Sequence, residues 1–388
     1  MKVLYISNLF PDETEFSRGL FNARFVRHFS ELCEIKVISP RPSFLFWKKY
    51  YPCPQDVSVS PEYQAVPYVP LWGTLFNHRL MYLFLIKKIL KIKDKFKFDI
   101  ILASWIFPDG CAACRIGRKL NVPVVVTALG TDIHQYAYFP LRKKIIFKEL
   151  ESAKAVVTVS RSLAKILEGR GFPADKLCVI YYGVEQNIFH PADKSETRKM
   201  LGLSQDEKII LFVGNLLPVK DPLLTLDSFF VLEHKLGVQN ARLIFIGNGP
   251  LEKKLRNRAK LYNITDKIVF AGKKRVEETA KFMQAADVLC LTSHNEGVPN
   301  VVLEALSCGT PVVTTKVGGI PEVLSDDITS VMVDSRSPEI IARAILDILN
   351  TKYDRNVLSK YAGKYKWEQT ALEYHELLKQ VLNNIKHN

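Results

Sequence analysis

The chain has 388 residues, of which 47% are hydrophobic and 24% are charged. This balance excludes an intrinsically disordered protein, and the length favours two domains over one α/β core. The net charge of +14 is uneven, because residues 1–200 hold 30 Lys and Arg against 18 Asp and Glu. We therefore expect the first half to meet an acidic partner, such as a membrane surface, a phosphorylated acceptor or nucleic acid.

The first half alternates predicted strands and helices. Its predicted strands are residues 2–7, 35–39, 99–103, 122–127, 155–160 and 178–181, and its predicted helices are residues 19–32, 80–97 and 112–120. Residues 1–10 have a short apolar run followed by Pro11, which is typical of a first strand and not of a secretory signal. Residues 40–72 are rich in Pro and aromatic residues and give no periodic signal.

The helix predicted at residues 80–97 joins an apolar run to six lysines. Leu83, Ile86, Lys87 and Leu90 would lie on neighbouring faces, so its apolar stripe is broad. Two interpretations stay open: an interfacial helix on anionic lipid, or a core helix with a solvated basic end. No apolar run in the chain reaches the length that a membrane-spanning helix needs.

The seven cysteines are scattered and odd in number, which is typical of a reducing compartment. Only Cys111 and Cys114 form a CxxC pair. No second pair or His accompanies them in a four-ligand pattern. We expect both thiols to be small packing residues of a helix.

Strand and helix alternation restarts after a connection at residues 183–208. The second half has predicted strands at residues 208–213, 241–246, 267–270, 288–291, 311–314 and 331–333, and the chain ends in a predicted helix at 367–385. Such alternation predicts an α/β fold of two facing, doubly wound parallel sheets. We place the domains at residues 1–190 and 191–365, with a C-terminal helix at 366–388 packing back toward the first domain.

A nicotinamide-binding protein is not expected. The turn after the first strand has no GxGxxG motif, and the first glycine of the chain is Gly19. The fragment from Gly247 to Pro250 is weak evidence by itself.

The strongest chemical signal lies in residues 293–313. A strand runs into a loop with Gly297 and Pro299, and a helix follows from about Asn300, which can cap it. Glu296 then stands in front of the helix N-terminus and Glu304 one turn inside. The helix N-terminus can bind a diphosphate, and the two carboxylates can accept hydrogen bonds from sugar hydroxyls.

This segment resembles the E-x7-E motif of family 4 glycosyltransferases, which have the GT-B fold of two Rossmann-like domains. Other pieces agree in order along nearly the whole chain: Phe10-Pro11 with Arg18-Gly19, Gly130-Thr131-Asp132, Gly183-Val184, Val213-Gly214, Lys220, Gly247-Asn248-Gly249 and Gly318-Gly319. The resemblance implies a retaining, metal-independent hexosyltransferase that uses a UDP- or GDP-linked sugar. The nucleotide sugar is a substrate, so no cofactor and no metal are expected.

The resemblance also implies roles for individual residues. Glu296 would contact the donor sugar, Glu304 the ribose, and Lys220 the departing diphosphate, while Gly19 would let the backbone approach the phosphates. The catalytic residues implied are Glu296, Lys220 and Asp132. The donor-binding residues implied are Gly19, Arg18, Asn215, Lys220, Gly247, Gly249, Lys273, Glu296, Gly297, Val298, Pro299, Asn300, Val301 and Glu304.

Two positions depart from the family pattern. Asn215 stands where many members carry Arg, so one cationic phosphate contact is missing or is supplied elsewhere, for example by Arg18. Leu129 stands where many members carry His, which puts the family's catalytic His in doubt. His134 is an acceptor-side candidate, and Asp132 would either orient the acceptor or sugar or cap a helix.

The expected partners are a nucleotide-sugar donor and a lipid-linked or polysaccharide acceptor in cell-envelope polysaccharide biosynthesis. We expect a cytoplasmic protein that can associate peripherally with the inner face of the membrane. Nucleic acid is not expected, because the basic residues are not interleaved with an aromatic stacking platform. A sugar-nucleotide epimerase on the same fold and a non-catalytic nucleotide-sugar-binding protein stay open as alternatives.

Overall fold

The computed structural model describes residues 1–43, 50, 59–70, 73, 75–130, 132–136, 139–324 and 330–386. The chain divides into two compact α/β units. Unit 1 comprises Met1–Tyr182 together with Trp367–Asn388, and unit 2 comprises Gly183–Lys366. The domain boundary predicted at residue 190 lies a little beyond this division. None of the helices in the described residues combines the length and apolar composition needed to cross a membrane.

Unit 1 contains a seven-stranded parallel sheet in the order β3-β2-β1-β4-β5-β6-β7. Its strands are β1 (Lys2–Ile6), β2 (Glu34–Ser43), β3 (Glu62–Pro67), β4 (Ile100–Ser104), β5 (Val124–Ala128), β6 (Ala155–Thr158) and β7 (Leu177–Val179). Its helices are α1 (Leu20–Phe29), α2 (Asn77–Phe96), α3 (Cys111–Leu120), α4 (Pro140–Leu150), α5 (Arg161–Gly169) and the C-terminal α14 (Trp367–Lys386).

Unit 2 contains a six-stranded parallel sheet in the order β10-β9-β8-β11-β12-β13. Its strands are β8 (Lys208–Val213), β9 (Ala241–Ile246), β10 (Ile268–Gly272), β11 (Val288–Leu291), β12 (Val312–Thr315) and β13 (Ser330–Val333). Its helices are α6 (Lys194–Met200), α7 (Pro222–His234), α8 (Glu252–Leu261), α9 (Val276–Ala285), α10 (Asn300–Ser307), α11 (Ile320–Val323), α12 (Pro338–Asn350) and α13 (Arg355–Ala362). Both units are doubly wound and Rossmann-like, as the alternation predicted.

The C-terminal helix α14 belongs to the core of unit 1. Tyr374 is buried and its ring packs against that of Phe25, with 4.7 Å between the ring centroids. Its hydroxyl lies 2.9 Å from Thr127 Oγ1 on β5. Trp367 is fully buried against Tyr182, with 5.1 Å between the rings. Burying these aromatic surfaces supplies the main stabilisation of the returning helix.

Most strand positions follow the predictions, because continuous apolar runs buried on both faces are typical of parallel sheets. The exception is β3, which pairs with residues 38–43 of β2 in a segment that gave no periodic signal. Residues 44–49, 51–58, 71–72 and 74 of this region lie outside the described residues, and Cys53 lies among them. The strand β3 is stabilised by pairing with β2 rather than by its own pattern.

Helix α2 has one face in the core. Met81, Leu85, Ile89 and Ile92 are buried, whereas Leu83 is 59% exposed. In α3, Cys111 and Cys114 are fully buried free thiols that form no disulfide with a described residue. Burial raises the pKa of Cys114 to about 12 and keeps its thiol protonated.

Candidate functional site

The candidate site of unit 2 lies where the strand order reverses, between β8 and β11. Connections leave this pair of strands in opposite directions, so their carboxyl-end loops diverge and leave a crevice there. The loop after β8 covers residues 214–221 and carries Lys220. The loop after β11 covers residues 292–299 and carries Glu296. Two site residues that the sequence predicted, Lys220 and Glu296, therefore lie on the loops that follow two adjacent parallel strands.

Lys220 and Glu296 form an ion pair in this crevice. The ammonium of Lys220 donates to Glu296 Oε1, and the Ser293 hydroxyl donates to the same oxygen at 2.6 Å. Glu296 is 9% exposed, and the Lys220 side chain is 24% exposed. A carboxylate removed from water to this degree requires such partners. The ion pair is thus fixed in place, and its Lys220 ammonium stays partly accessible to solvent.

A second cluster, which the sequence did not indicate, joins the same two loops. Arg336, after β13, donates to the carboxylate of Asp221 and to the carbonyl oxygens of Thr292 and Ser293 at 3.1 and 3.2 Å. His294 Nε2 lies 3.4 Å from the Asp221 carboxylate, and its backbone N–H donates to Val219 O at 2.8 Å. Asp221 also accepts from the backbone N–H of Leu224 at 3.4 Å and caps α7.

We call these contacts of Arg336 with Asp221 and with residues 292–294 the Asp221–Arg336 clamp, because they hold the two loops together. Asp221 directly follows Lys220 and has a left-handed φ of 42°, a conformation that costs a non-glycine residue about 1–2 kcal/mol. Fixing Asp221 from one side and residues 292–294 from the other fixes the spacing of Lys220 and Glu296. No pattern of residue types predicts it, because Arg336 lies far along the chain in a short polar loop.

Glycines let the loops of unit 2 approach one another. A Cβ on Gly318, where φ is 57°, would lie 1.8 Å from the carbonyl oxygen of Glu296. Gly319 donates its N–H to Gly297 O at 2.8 Å. A Cβ on Gly247 would lie 2.0 Å from Gly214 O, and one on Gly249 would lie 2.5 Å from Leu216 O. Gly247 and Gly249, which are predicted donor-site residues, and Gly318 therefore allow two backbone segments to lie in close contact.

The helix α10 begins at Asn300, as predicted, but its N-cap residue differs from the prediction. Pro299 is its N-cap residue, without a side-chain cap, and Asn300 is its first helical residue, so the prediction that Asn300 caps the helix is wrong. Pro is compatible with this position because its fixed φ suits a helix start. Glu304 is the fifth residue of α10 and is half-buried. Gly297, Val298 and Val301 are also half-buried.

Asn215 and Lys273 are exposed at the carboxyl ends of β8 and β10. The described structure gives neither a side-chain contact with the ion pair. Their predicted donor-binding roles stay predictions.

In unit 1, the reversal of strand order lies between β1 and β4. Arg18 donates to Asn8 O at 3.0 Å and to Asn8 Oδ1 at 3.1 Å. Asn8 in turn donates from its backbone and its side chain to the carboxylate of Asp109. Burial raises the pKa of Asp109 to about 7, against the opposing hydrogen bonds from Asn8. Arg18 is thus held by a short polar chain, and the sequence did not indicate Asp109 or Asn8.

Gly19 has a φ of 59°, and a Cβ there would lie 2.2 Å from Leu9 O. The absence of a side chain at Gly19 therefore lets its backbone lie close to the loop after β1. Gly19 immediately precedes α1 and takes its N-cap position.

Asp132 is fully buried, and its carboxylate accepts hydrogen bonds from the backbone N–H groups of Ile106, Leu129, Gly130 and Ile133 at 2.8–3.3 Å. This geometry makes the Asp132 carboxylate an anchor for the loop after β5, and its predicted role toward acceptor or sugar stays a prediction. Burial raises the pKa of Asp132 despite those bonds. Thr131 lies outside the described residues.

His134 is half-buried, and its Nε2 has no hydrogen-bond partner within the part of the chain that the structure describes. Burial, followed by the charge of Arg170, lowers the pKa of His134. The imidazole is therefore neutral at pH 7. Its acceptor-side role stays a prediction.

Two family models match the chain in succession. Residues 21–187 match the model described as Glycosyltransferase Family 4, and residues 193–365 match the model described as Glycosyl transferases group 1. The two matches correspond closely to units 1 and 2, and the second contains the ion pair and the clamp.

Among individual proteins, one relative is a Bacillus subtilis protein named as a glycosyltransferase of teichuronic acid biosynthesis. It is 26% identical over 93% of this chain and 91% of its own length. A D-inositol 3-phosphate glycosyltransferase of Segniliparus rotundus is 30% identical over 69% of this chain and 61% of its own length. An N-acetyl-alpha-D-glucosaminyl L-malate synthase of Bacillus anthracis is 24% identical over 77% of this chain and 78% of its own length.

Solved structures agree on the fold. A sucrose-phosphate synthase from Thermosynechococcus elongatus superposes with a TM-score of 0.76 at 19% identity, covering 99% of this chain and all of that one. The Anabaena protein HepE in complex with UDP-glucose superposes with a TM-score of 0.75 at 17% identity, covering 98% and 100%. At these identities the likeness concerns the fold alone.

Proposed function

The chain belongs to the group 1, family 4 glycosyltransferases, and from that premise we propose that it transfers a hexosyl unit from a UDP- or GDP-linked sugar to a lipid-linked or polysaccharide acceptor with retention of configuration. Unit 2 would bind the donor and unit 1 the acceptor. The observation that carries the proposal is the Lys220–Glu296 pair at the strand-order reversal of unit 2.

Two acidic groups recognise the sugar nucleotide in this proposal. Glu296, held by Lys220 and Ser293, accepts hydrogen bonds from sugar hydroxyls through its remaining lone pairs. Glu304, one turn into α10, accepts from the ribose diol. The first turn of α10 and the backbone of residues 297–301 receive the diphosphate, because unpaired helix N–H groups favour anions. The glycine at 318 keeps this backbone close to the loop after β12.

Lys220 stabilises the leaving group. When the bond between the anomeric carbon and the β-phosphate oxygen breaks, negative charge develops on the diphosphate, and the ammonium meets it. The acceptor oxygen bonds to the anomeric carbon on the face that the diphosphate leaves, and its proton passes to the departing phosphate oxygen. One electrostatic contact of this kind contributes about 3 kcal/mol to lowering the barrier.

In unit 1, Asn8 and Asp109 position Arg18, whose predicted donor-binding role stays a prediction. Asp132 orders the loop that carries His134. The proposal assigns charge neutralisation to side chains rather than to a metal ion, so transfer should persist in EDTA. The names of two relatives, a D-inositol 3-phosphate glycosyltransferase and an N-acetyl-alpha-D-glucosaminyl L-malate synthase, support a small hydroxylated acceptor as an alternative to a glycan.

The test is a donor screen with the full-length protein. UDP- and GDP-sugars are incubated with bacterial membrane extract, and products are identified by mass spectrometry. A new glycoconjugate with the retained anomer supports the proposal. An epimerised sugar nucleotide without transfer would identify an epimerase, and binding without any product would identify a non-catalytic binding protein.

Matched variants locate the activity. Glu296→Gln and Glu304→Gln together should abolish transfer, because neutral amides accept hydrogen bonds from polyols more weakly than carboxylates do. Glu277→Gln, on the exposed side of α9, is the matched control and should leave transfer unchanged. Normal donor binding and turnover in the double variant would refute the donor site.

A further inference from the structure

The helix α2 presents a second, outward face that the fold of unit 1 does not use. Its residues are Leu83, Lys87, Leu90, Lys91, Asp94 and Lys95, all exposed and spaced along one side of the helix. We call these six residues the outer face of α2. The buried residues Met81, Leu85, Ile89 and Ile92 lie on the opposite side and pack into the core.

The leucines of the outer face are unusually accessible for their size. Leu83 is 59% exposed and Leu90 is 43% exposed, and they are two helical turns apart. Phe76, immediately before the helix, is also 39% exposed. Single exposed leucines are common on protein surfaces, but an aligned set on one helix side indicates a surface that contacts an apolar phase or partner.

The lysines of α2 separate into two groups. Lys88 pairs with Glu62 at 3.1 Å, and Lys93 donates to Leu120 O at 2.7 Å, so both serve the fold. Lys87, Lys91 and Lys95 form no ion pair with any described residue. Against the single carboxylate of Asp94, these three cations leave the outer face with a net positive charge beside the exposed leucines.

We infer that the outer face of α2 is a docking surface for a bilayer that carries anionic phospholipids. Lysine stems can lie along the interface while their ammonium groups reach headgroup phosphates and the leucines insert between acyl chains. A nucleic acid would use the lysines and leave the leucines in water. An acidic protein partner would need a complementary groove, whereas a bilayer accepts a convex helix face without one.

The charge of the chain agrees with this partner. Residues 1–200 carry the larger excess of Lys and Arg over Asp and Glu, and α2 lies among them. An anionic leaflet attracts each cation near its surface and favours this unit over unit 2. The inference concerns where the protein docks and does not depend on the proposed transfer reaction.

The experiment is sedimentation of the full-length protein with vesicles of phosphatidylcholine, with and without phosphatidylglycerol, in the absence of donor. The outer-face triple variant Lys87→Gln, Lys91→Gln, Lys95→Gln is compared with a triple variant on α8, Lys253→Gln, Lys254→Gln, Lys260→Gln. The α8 variant removes the same charge from exposed positions of unit 2. A double variant, Leu83→Ser with Leu90→Ser, removes the apolar component alone.

We expect the wild type to bind only the vesicles with phosphatidylglycerol. The outer-face triple variant should lose affinity on the order of 100-fold, and the leucine variant roughly tenfold, while the α8 variant stays near wild type. Thermal unfolding of all variants should be unchanged, since every substituted side chain is exposed.

Three results would overturn the inference: no binding of the wild type to anionic vesicles, equal losses in the two triple variants, or wild-type binding by the leucine variant. The inference would also be overturned if the wild type bound duplex DNA more tightly than vesicles, and if the lysine triple variant lost that DNA binding while the leucine variant kept it. Because no donor is present, failure here leaves the transfer proposal untouched, and failure of transfer leaves vesicle binding intact.

Discussion

Lys220 and Glu296 are 76 positions apart in the sequence, yet their side chains form a direct ion pair in unit 2. The parallel pairing of β8 with β11 places their loops side by side, and the Asp221–Arg336 clamp holds those loops together. Each charge is thereby oriented before any ligand arrives. Preorganisation of this kind lets a site stabilise developing charge without reorganising at the moment of reaction.

Replacing Lys220 tests its role as the leaving-group cation. Lys220→Ala should lower kcat by about 10²–10³-fold, because the charge developing on the diphosphate loses its ammonium partner. Stability should also fall by about 1–3 kcal/mol, since Glu296 keeps only the Ser293 hydroxyl. Steady-state kinetics and urea unfolding measure both effects, and Lys254→Ala, exposed on α8, is the control. Near-full turnover with unchanged donor affinity in Lys220→Ala would show that the leaving-group role is wrong.

The clamp is tested through Arg336. Arg336→Ala should lower the free energy of unfolding by about 1–3 kcal/mol, because buried carbonyl oxygens and Asp221 lose a charged donor. It should also lower kcat/KM by roughly tenfold or more through misplacement of Lys220. Arg343→Ala, exposed on the neighbouring α12, should do neither. If Arg336→Ala lost stability but kept full kcat/KM, the clamp would be structural only.

Gly318 offers a matched glycine comparison. Gly318→Ala should cost about 2–5 kcal/mol of stability, because its Cβ would meet Glu296 O as well as adopting a left-handed φ. Gly202 has a φ of 65° and nothing near its missing Cβ, so Gly202→Ala should cost only about 1–2 kcal/mol. Urea unfolding gives both values, and titration with UDP and GDP should detect a loss of nucleotide binding in the Gly318 variant alone. Equal costs would mean that the loop contact at Glu296 is soft.

The raised pKa of Asp109 predicts a pH dependence of stability. Between its unfolded pKa of 3.8 and its folded pKa of about 7, the folded state binds a proton that the unfolded state releases. This contribution is full below pH 3.8 and is lost as the pH rises toward 7, with a slope of up to about 1.4 kcal/mol per pH unit. Urea unfolding across this range should show the slope in wild type and not in Asp109→Asn. An identical pH profile in both proteins would contradict the raised pKa.

The pKa of a second carboxyl group, Glu149, is shifted in the opposite direction, so its effect on the pH dependence of stability serves as an internal reference. Burial would raise the pKa of Glu149, but the His78 imidazole 3.5 Å away and hydrogen bonds from Arg118 and Arg115 outweigh it and lower the pKa to about 2. Its stabilisation is present above pH 4.5 and is lost as the pH falls toward 2. The two windows overlap little, so the Asp109 slope can be separated from it.

The sequence by itself determined the fold class, the positions of most strands and the segment that contains Glu296 and Glu304. Continuous apolar runs of four to six residues between polar or turn residues are typical of strands buried on both faces, and such runs are local. The E-x7-E spacing is local as well.

The tertiary structure decided what these residues contact. Only the order of strands makes β8 and β11 neighbours, and only that pairing gives Glu296 a partner in Lys220. The same holds for Arg336, which reaches Asp221 from more than a hundred positions away, and for Asp109, whose burial sets its pKa. Asp132 shows the limit most clearly, because its residue type gave no sign of the four backbone N–H groups that surround its buried carboxylate. Hydrogen bonds between distant segments depend on how the sheets assemble, and that arrangement is not written in any local window.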